Sequence, residues 1–293
     1  MAQIAAGTSR QPDLPILREV AALRRQVAAW RHAGETVGLV PTMGALHEGH
    51  LALAHRARRD CTRIIASLFV NPLQFNATDD FRSYPRDEAD DRAMLASAGV
   101  DLLFAPPVDE VYPPGFDTSV SVGALARPLC GATRPGHFQG VATVVTKLLL
   151  LTLPDRAFFG EKDYQQLLVI RRLALDLNFP VEIVGVPTVR EPDGLAMSSR
   201  NRHLSPDERA TASIIPRLLA SLADDIAQGG DIAEALISGR TALFEAGIDR
   251  VDYLDCCDSA TLEPVRTLKA GARLFVACYV GKTRLIDNLA IAS

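Results

Sequence analysis

The stretch Pro41-Thr-Met-Gly-Ala-Leu-His-Glu-Gly-His50 has the clearest capacity for chemistry in the chain. Its two imidazoles, His47 and His50, stand where an apolar run ends and a helical pattern begins. A helix start presents unpaired backbone N–H groups and a partial positive charge, and both attract anions. Imidazoles can also donate to phosphate oxygens as negative charge moves during a reaction. The segment therefore predicts a site for nucleotide phosphates.

The same histidines have an alternative interpretation as zinc ligands. In the metalloprotease helix motif the two histidines are four positions apart, whereas His47 and His50 are three apart and Gly49 interrupts the helix pattern. His55 is the only further ligand close in sequence, and no cysteine lies nearby. The spacing favours phosphate over zinc.

Two clusters of amide, guanidinium and imidazole side chains suit a ligand with hydroxyl and carboxylate groups. Asn71 and Gln74 follow the second predicted core strand, and their amides both donate and accept hydrogen bonds. Arg134, His137 and Gln139 precede a very apolar helix. Each cluster has a plainer interpretation, as a turn built on Asn-Pro and as a polar loop capping a helix.

Two further clusters suit a polyphosphate. Gly160 permits close approach, Lys162 supplies a compact positive charge, Asp163 can orient a hydroxyl or an ion, and Gln166 follows one turn along a helix. Met197-Ser-Ser-Arg-Asn201 offers two hydroxyls and a guanidinium able to contact two oxygens at once. The alternatives are a solvated charge pair and an ordinary serine-rich loop.

The elements that must position these residues alternate between strand and helix. Apolar runs predict strands at Val37–Val40, Ile64–Val70, Leu102–Ala105, Ala157–Gly160 and Val181–Val186. Helical patterns cover Ile16–Ala33, Leu51–Asp60, Asp87–Ala98, Gln139–Leu153 and Tyr164–Leu177. Buried strands separated by helices predict an α/β, Rossmann-like, doubly wound parallel sheet, with ligands at the carboxyl ends of its strands. Residues 106–134, rich in Pro and Gly, predict an excursion beside the site.

The pattern changes near Pro187, which predicts two domains, 1–187 and 188–293, with 1–14 as a loose tail. Ser205-Pro-Asp-Glu208 predicts the start of a helix reaching about Gln228. A second helix is predicted to about Ala246, followed by strands at Val251–Cys257, Leu274–Val280 and Arg284–Ile291. Helices followed by strands predict a small α+β domain, which we interpret as a lid.

Composition narrows the class of protein. The 293 residues are 48% hydrophobic and 23% charged, enough for a sizeable core, and the formal net charge of -4 argues against general nucleic-acid binding. The five cysteines match neither a zinc ribbon nor a disulfide framework and suggest reduced thiols, hence a cytoplasmic protein. No secretory signal is evident, and no apolar run reaches the roughly 18 residues of a membrane span.

Taken together, five blocks resemble the pantothenate synthetase (pantoate–β-alanine ligase) family. The blocks are Pro41–His50, Val70-Asn-Pro-Leu-Gln-Phe75, Arg134-Pro-Gly-His-Phe-Gln-Gly-Val141, Gly160-Glu-Lys-Asp163 with Gln166, and Met197-Ser-Ser-Arg-Asn201. The similarity extends over about residues 16–293. The His-x-Gly-His element alone is shared by a wide nucleotidyltransferase superfamily that includes class I aminoacyl-tRNA synthetases, whereas the five blocks in order are far more specific.

The resemblance implies an ATP- and Mg²⁺-dependent ligation in two steps. The carboxylate of (R)-pantoate attacks the α-phosphorus of ATP to give pantoyl adenylate and pyrophosphate, and the amine of β-alanine then attacks the acyl group to give pantothenate and AMP. A homodimer is also implied. Alternatives are a nucleotidyltransferase with another acceptor, which would not need Gln74 and Gln166, and a non-catalytic nucleotide sensor, which would tolerate loss of His50, Lys162 or Arg200.

Matching positions carry the family's roles onto this chain. The implied ATP-binding residues are Met43, Gly44, Ala45, Leu46, His47, Glu48, Gly49, His50, Gly160, Glu161, Lys162, Asp163, Val189, Met197, Ser198, Ser199 and Arg200. The implied catalytic residues are His47, His50, Lys162 and Arg200. Pantoate is assigned to Gln74 and Gln166, and β-alanine to Gln74, Asn71 and Arg134. For His50, the family's proton donor, we expect the main contribution to be stabilising charge on phosphate oxygens.

Magnesium ligands are harder to assign from sequence. Asp90 and Asp91, together with Asp87 and Glu88, form an acidic group that is a candidate magnesium site. An ordinary acidic first helical turn accounts for the same pattern.

Overall fold

The larger part of the chain is a six-stranded parallel sheet in the order β1-β4-β3-β2-β5-β6. The computed structural model describes residues 14–75 and 87–292. The strands are β1 Ile16–Leu17, β2 Val37–Thr42, β3 Arg63–Leu68, β4 Leu102–Phe104, β5 Arg156–Gly160 and β6 Glu182–Val186. The accompanying helices are α1 Val20–His32, α2 Glu48–Asp60, α3 Glu88–Ser97, α4 Val108–Val111, α5 Cys130–Thr133, α6 His137–Thr152 and α7 Tyr164–Asp176. The predicted doubly wound α/β fold is confirmed.

Both faces of this sheet are covered, which explains why its strands are continuous apolar runs. In β2, Val37 and Leu39 pack in one core with α1, α6 and α7, whereas Val40 packs in a second core with α2 and α3. Alternate side chains of one strand thus supply two cores. The packing fixes which face each helix covers and hence where each strand ends.

The direction of winding reverses between β2 and β5. From β2 the chain builds β3 and β4 on one side, and β5 and β6 then form on the other. Clefts for ligands open at such a switch point, outside the carboxyl ends of the strands.

The C-terminal part is a smaller α+β unit, as predicted. Its helices are α8 Pro206–Ala212, α9 Ile214–Ala227 and α10 Ile232–Glu245, and its antiparallel sheet, in the order β7-β8-β9, consists of β7 Arg250–Asp258, β8 Ala272–Val280 and β9 Thr283–Ala290. Ser205 and Glu208 cap the start of α8 reciprocally. One apolar core joins these helices to the sheet.

Three sequence predictions need correction. Ile16 and Leu17 form an edge strand rather than a helix, because they pair with β4. Residue 14, assigned to the loose tail, is buried Leu14, and its carbonyl accepts from Arg92; residues 1–13 lie outside the described part. The predicted helix from Ser205 is split at Ser213, since Pro216 has no N–H and its ring disfavours a continuous helix through the preceding turn.

The remaining boundaries lie within a few residues of those predicted. The excursion 106–134 contains only α4, α5 and a 3-10 turn at Ala124–Ala126. Within the described ranges, the helices are too short or too polar to traverse a lipid bilayer.

Candidate active site

A cavity of about 240 Å³ opens at the carboxyl ends of β2 and β5, where the winding of the sheet reverses. One wall is apolar and comes from α6, with Val141, Val144 and Leu148 facing the cavity. The remaining walls carry the polar clusters singled out in the sequence. The fold therefore brings together groups that are far apart in sequence, such as Met43 and Arg200, which are 157 positions apart.

His47 and His50 stand at the first turn of α2. His47 is the N-cap residue, and its Nδ1 accepts a hydrogen bond from the Gly49 backbone N–H at 3.1 Å. Nδ1 therefore carries the lone pair, and the proton of a neutral ring resides on Nε2. Gly49 is needed for this folding back of the ring, because a Cβ there would lie 2.8 Å from Cε1 of His47. The two imidazole rings are 4.1 Å apart between centroids.

Burial makes both imidazoles neutral. It lowers the pKa of His47 to about 4, with a further contribution from the positive charges of Lys162 and Arg202. It lowers the pKa of His50 to about 3, with His47 and the same cations adding to the effect. Nδ1 of His50 is buried and has no hydrogen-bond partner among the described residues. The pair thus presents two neutral imidazoles at the cleft.

The amides of Asn71 and Gln74 are held by a relay of hydrogen bonds. Tyr112 donates its hydroxyl proton to Asn71 Oδ1 at 2.8 Å, and Asn71 Nδ2 donates to Gln74 Oε1 at 3.0 Å and to the Gly140 carbonyl at 3.1 Å. Gln74 Nε2 then lies 3.0 Å from the sulfur of Met43, within the cleft lining. Since Oε1 is engaged, the relay determines that Gln74 presents its N–H donors on the cleft side.

Arg134 and His137 fix the same turn from the other side. Arg134 donates to Nε2 of His137 at 3.1 Å, so the neutral His137 ring donates from Nδ1 to the Gln74 carbonyl at 3.0 Å. Burial and the neighbouring guanidinium lower the pKa of His137 to about 3. The turn also requires glycine at position 140, where a Cβ would lie 2.3 Å from the Leu73 carbonyl oxygen.

Lys162 is carried by a 3-10 turn, Glu161–Asp163, that directly follows β5. Its side chain is only 19% exposed, and its Nζ lies 3.9 Å from Oδ2 of Asp163. Gln166 follows in the first turn of α7 and lines the same cleft. The turn and the start of α7 thus bring a cation and an amide to the same cleft.

The segment Met197–Arg200 forms the outer wall. The Met197 backbone N–H donates to the Val189 carbonyl at 3.0 Å, and Ser198 caps a 3-10 turn at Ser199–His203 by accepting from the Arg200 N–H at 3.3 Å. Arg202, in that turn, donates to the Leu46 carbonyl at 2.9 Å and so joins the outer wall to the histidine loop.

Most of the residues predicted for the site do line the cleft. They are Met43, His47, Gly49, His50, Asn71, Gln74, Arg134, Gly160, Lys162, Asp163, Gln166, Val189, Met197, Ser198, Ser199 and Arg200. Five residues predicted to bind ATP do not line it: Gly44, Ala45, Leu46, Glu48 and Glu161. Gly44 to Leu46 are buried beneath the histidines, and Glu48 is exposed. Gln139, an initial candidate, is also exposed and bonds to Ser119.

The candidate magnesium ligands lie away from the cleft. Asp91 is buried, and its two oxygens accept the backbone N–H groups of Ala45 at 3.0 Å and Leu46 at 2.8 Å. Asp90 is exposed on α3. Their placement does not suit a magnesium ion bound with ATP, because Asp91 already serves the backbone. In the described part of the chain, no three His, Cys, Asp or Glu side chains cluster as a metal site.

Several supporting residues gave no recognisable signal in the sequence. They are Tyr112, Asp91 in its observed role, Arg202 and Asn288, and each acts through contacts with residues 41 to 156 positions away. The apolar lining was foreseeable from the very apolar helix after Arg134. The polar supports were not foreseeable, because Asp91, Arg202 and Asn288 bond to backbone atoms and Tyr112 bonds to Asn71 from 41 positions away.

Known proteins closely resemble the chain in sequence and structure. A model of the pantoate-beta-alanine ligase family matches residues 15–290. Pantothenate synthetase from Paramagnetospirillum magneticum is 56% identical over 276 residues, 94% of this chain and 97% of that protein. A crystal structure of pantothenate synthetase from Thermus thermophilus has a TM-score of 0.91 and 54% identity over 96% of this chain and 100% of that one.

A third relative is a ligand complex. The pantoate-beta-alanine ligase from Francisella tularensis, complexed with beta-gamma ATP and beta-alanine, has a TM-score of 0.81 and 34% identity. The match covers 94% of this chain and 97% of that one. These similarities agree with the resemblance seen in the five sequence blocks.

Proposed function

The chain belongs to the pantoate–β-alanine ligase family, and we propose that the cleft described above is where it performs that family's reaction. The protein condenses (R)-pantoate with β-alanine to pantothenate, consumes ATP, and releases AMP and pyrophosphate by way of pantoyl adenylate. It is therefore an AMP-forming acid–amino-acid ligase.

One observation supports this assignment of the site above the others. A single cavity is lined by two neutral imidazoles, by Lys162 and Arg200, and by an amide of fixed orientation at Gln74. Cations and neutral donors suit a polyphosphate, whereas directional amides suit a small hydroxy acid. Groups suited to ATP and groups suited to pantoate, the two substrates of the first step, thus line one cavity.

In the first step, a carboxylate oxygen of pantoate forms a bond to the α-phosphorus as the bond to pyrophosphate breaks. Negative charge builds on the phosphoryl oxygens and on the leaving pyrophosphate. We assign His47 and His50 as donors to these oxygens, and Lys162 and Arg200 as cations that neutralise the leaving group. Gln74 and Gln166 orient pantoate, and the backbone at Val189 meets the adenine.

In the second step, the β-alanine amine attacks the acyl carbon, and AMP departs with the electron pair of the former acyl–oxygen bond. Arg134 is assigned to the β-alanine carboxylate, since a guanidinium can contact both of its oxygens. Asn71 and Gln74 supply directional hydrogen bonds beside it. The Francisella tularensis complex with β-alanine supports a site for this substrate in a protein of the same fold.

The proposal also covers how Mg²⁺ is bound, the oligomeric state and the cellular location of the protein. We infer that Mg²⁺ arrives with ATP and is held mainly by phosphate oxygens. Asp163 is the carboxylate best placed to assist, because it lines the cleft with its side chain 46% exposed. We also propose a homodimer, a cytoplasmic location consistent with five free cysteines, and a division into residues 1–187 and a lid formed by residues 188–293.

Pyrophosphate–ATP exchange tests the proposal directly. The purified protein should exchange labelled pyrophosphate into ATP only when pantoate is present, and β-alanine should then release AMP. Folded protein that shows no pantoate-dependent exchange would overturn the assignment.

The role of Gln74 can be separated from that of ATP binding. We expect Gln74→Ala to raise the KM for pantoate about 10-fold or more with little change in the KM for ATP, because the lost amide is assigned to pantoate and not to ATP. Gln139→Ala, which alters an exposed glutamine outside the cleft, is the matched control. A defect confined to ATP affinity would contradict the assignment.

A further inference from the structure

Asn288 bonds to the turn that carries Lys162 from a strand far along the chain. Asn288 lies in β9 and is 4% exposed. Its Nδ2 donates to the carbonyl oxygens of Glu161 and Lys162, each at 3.0 Å, across 127 and 126 positions of sequence. Both protons of the amide are thus used on two successive carbonyls of one short turn.

The orientation of this amide is itself fixed. Its Oδ1 accepts from the guanidinium of Arg273, and its own backbone N–H donates to Asp287 Oδ1 at 2.8 Å. An arginine can only donate, so the amide cannot flip without placing two donors face to face. The amide therefore always presents its N–H groups to the Lys162 turn.

The neighbouring residue of β9 holds the other nucleotide-facing loop. Asp287 is 3% exposed and accepts two hydrogen bonds from Arg190, at 2.7 and 3.1 Å. Arg190 directly follows Val189, whose carbonyl accepts from Met197. Two consecutive residues of one strand thus set the positions of the Lys162 turn and of the loop that reaches the outer wall.

We propose that Asn288 is a positioning residue for Lys162, fixing the backbone from which the ammonium group reaches the phosphates. This rests on the role given to Lys162 under the proposed function. The physical argument is that a cation is effective only when it is held where charge develops, and a small displacement of its backbone removes much of that benefit.

Asn288→Asp is the variant that tests the two donated hydrogen bonds most specifically. It preserves the shape of the side chain and the acceptor for Arg273, but a carboxylate cannot donate to the two carbonyl oxygens. The expected result is a loss of about 10-fold in kcat for pantoate-dependent pyrophosphate–ATP exchange, with the KM for pantoate nearly unchanged. Asn288→Ala removes the same donors without adding charge and should show the same split if the aspartate variant folds poorly.

A double-mutant cycle with Lys162→Ala decides whether the effect passes through the lysine. In the Lys162→Ala background, Asn288→Asp should cost less than about 2-fold, since there is no longer an ammonium group to position. An equal loss in both backgrounds would overturn the positioning role alone. Full activity of Lys162→Ala would overturn the role of the lysine and this inference with it.

Tyr253→Phe controls for a general loosening of the C-terminal sheet. The Tyr253 hydroxyl lies 3.1 Å from the Cys130 sulfur and links the same sheet to the N-terminal part without touching the Lys162 turn. We expect its effect on exchange to be small and equal with and without Lys162. A loss matching that of Asn288→Asp, and abolished by Lys162→Ala, would show that any contact of the sheet suffices and would contradict the inference.

Discussion

Two polar walls of the cleft are held in place by different means. The histidine wall, Met43–His50, consists of the turn that follows β2 and the first residues of α2, which are consecutive in the chain. The lysine wall consists of Gly160–Asp163 and Met197–Arg200, and its backbone depends on Asp287 and Asn288 of β9. One wall is built mainly by local structure, the other by a strand that forms near the end of the chain.

This difference bears on how the cleft can change shape. The sheet and two cores immobilise β2 and α2, so the histidine wall is a rigid reference. Met197–Arg200 belongs to the C-terminal part, whereas the Lys162 turn lies between β5 and α7 of the large sheet and is bonded to the C-terminal unit through Asn288. Movement of the C-terminal unit would therefore shift Arg200 relative to the histidines and would strain the two hydrogen bonds to the Lys162 turn.

The largest effect is expected on the histidine wall itself. His50→Ala should reduce pantoate-dependent pyrophosphate–ATP exchange by at least about 10²-fold, because it removes a buried group that stabilises charge on the phosphates. His55→Ala changes an exposed histidine of the same helix and should leave exchange intact. An unchanged rate for His50→Ala in folded protein would reject its role.

Substitution of Asp91 tests whether its hydrogen bonds to the histidine wall are needed for activity. Its carboxylate holds the N–H groups of Ala45 and Leu46, and Ala45 has a φ of 52°, a conformation that needs such support. Asp91→Asn replaces one acceptor with a donor and should lower exchange about 10-fold without changing which substrates are used. If the exposed neighbour variant Asp90→Asn lost as much, a shared metal-binding role would explain the pair better.

Protonation of the buried histidines should lower the free energy of unfolding of the nucleotide-free protein. His47, His50 and His137 have pKa values lowered to about 4, 3 and 3 in the folded protein, whereas in the unfolded chain the value is about 6.5. Between these values the unfolded state binds more protons, so the free energy of unfolding falls as pH drops below about 6.5. Each histidine contributes at most about 1.4 kcal/mol per pH unit.

Urea denaturation at pH 7 and pH 5 measures this dependence. His137→Gln should make the loss of stability between the two values smaller, because one depressed group is removed. His55→Gln should leave the loss unchanged, since that ring is exposed. A pH dependence that persists in full in His137→Gln would contradict the contribution assigned to that ring.

The smallest effect is expected at the contact between Arg202 and the histidine wall. Arg202, in the 3-10 turn that follows Ser198, donates to the Leu46 carbonyl, and this contact is partly exposed. Arg202→Gln should raise the KM for ATP about threefold, the scale of a single hydrogen bond. Arg217→Gln, on an exposed face of α9, is a suitable control. A rise in the KM for pantoate instead would place the contact in a different part of the mechanism.

The same contrast explains what could be predicted from sequence. The alternation of apolar runs and helical patterns predicted the parallel sheet, and the order of strand, glycine turn and helix around Pro41–His50 predicted where the histidines lie, because periodicity and turn chemistry are local. The sequence predicts Asp91 only as a magnesium candidate, because a carboxylate that accepts backbone N–H groups cannot be distinguished in sequence from one that binds a metal. Asn288 gave no signal, because its partners are backbone carbonyls contributed by another part of the chain. The break at Ser213 follows from Pro216, which lacks the backbone N–H that a continuous helix would use.

A single-turnover experiment tests the central claim most directly. Enzyme in excess is mixed with ATP and pantoate without β-alanine, quenched, and assayed for acyl adenylate. We expect bound pantoyl adenylate to accumulate together with pyrophosphate, and to convert to pantothenate and AMP when β-alanine is added. Formation of pantothenate on adding β-alanine, with neither adenylate nor pyrophosphate formed beforehand, would contradict the account.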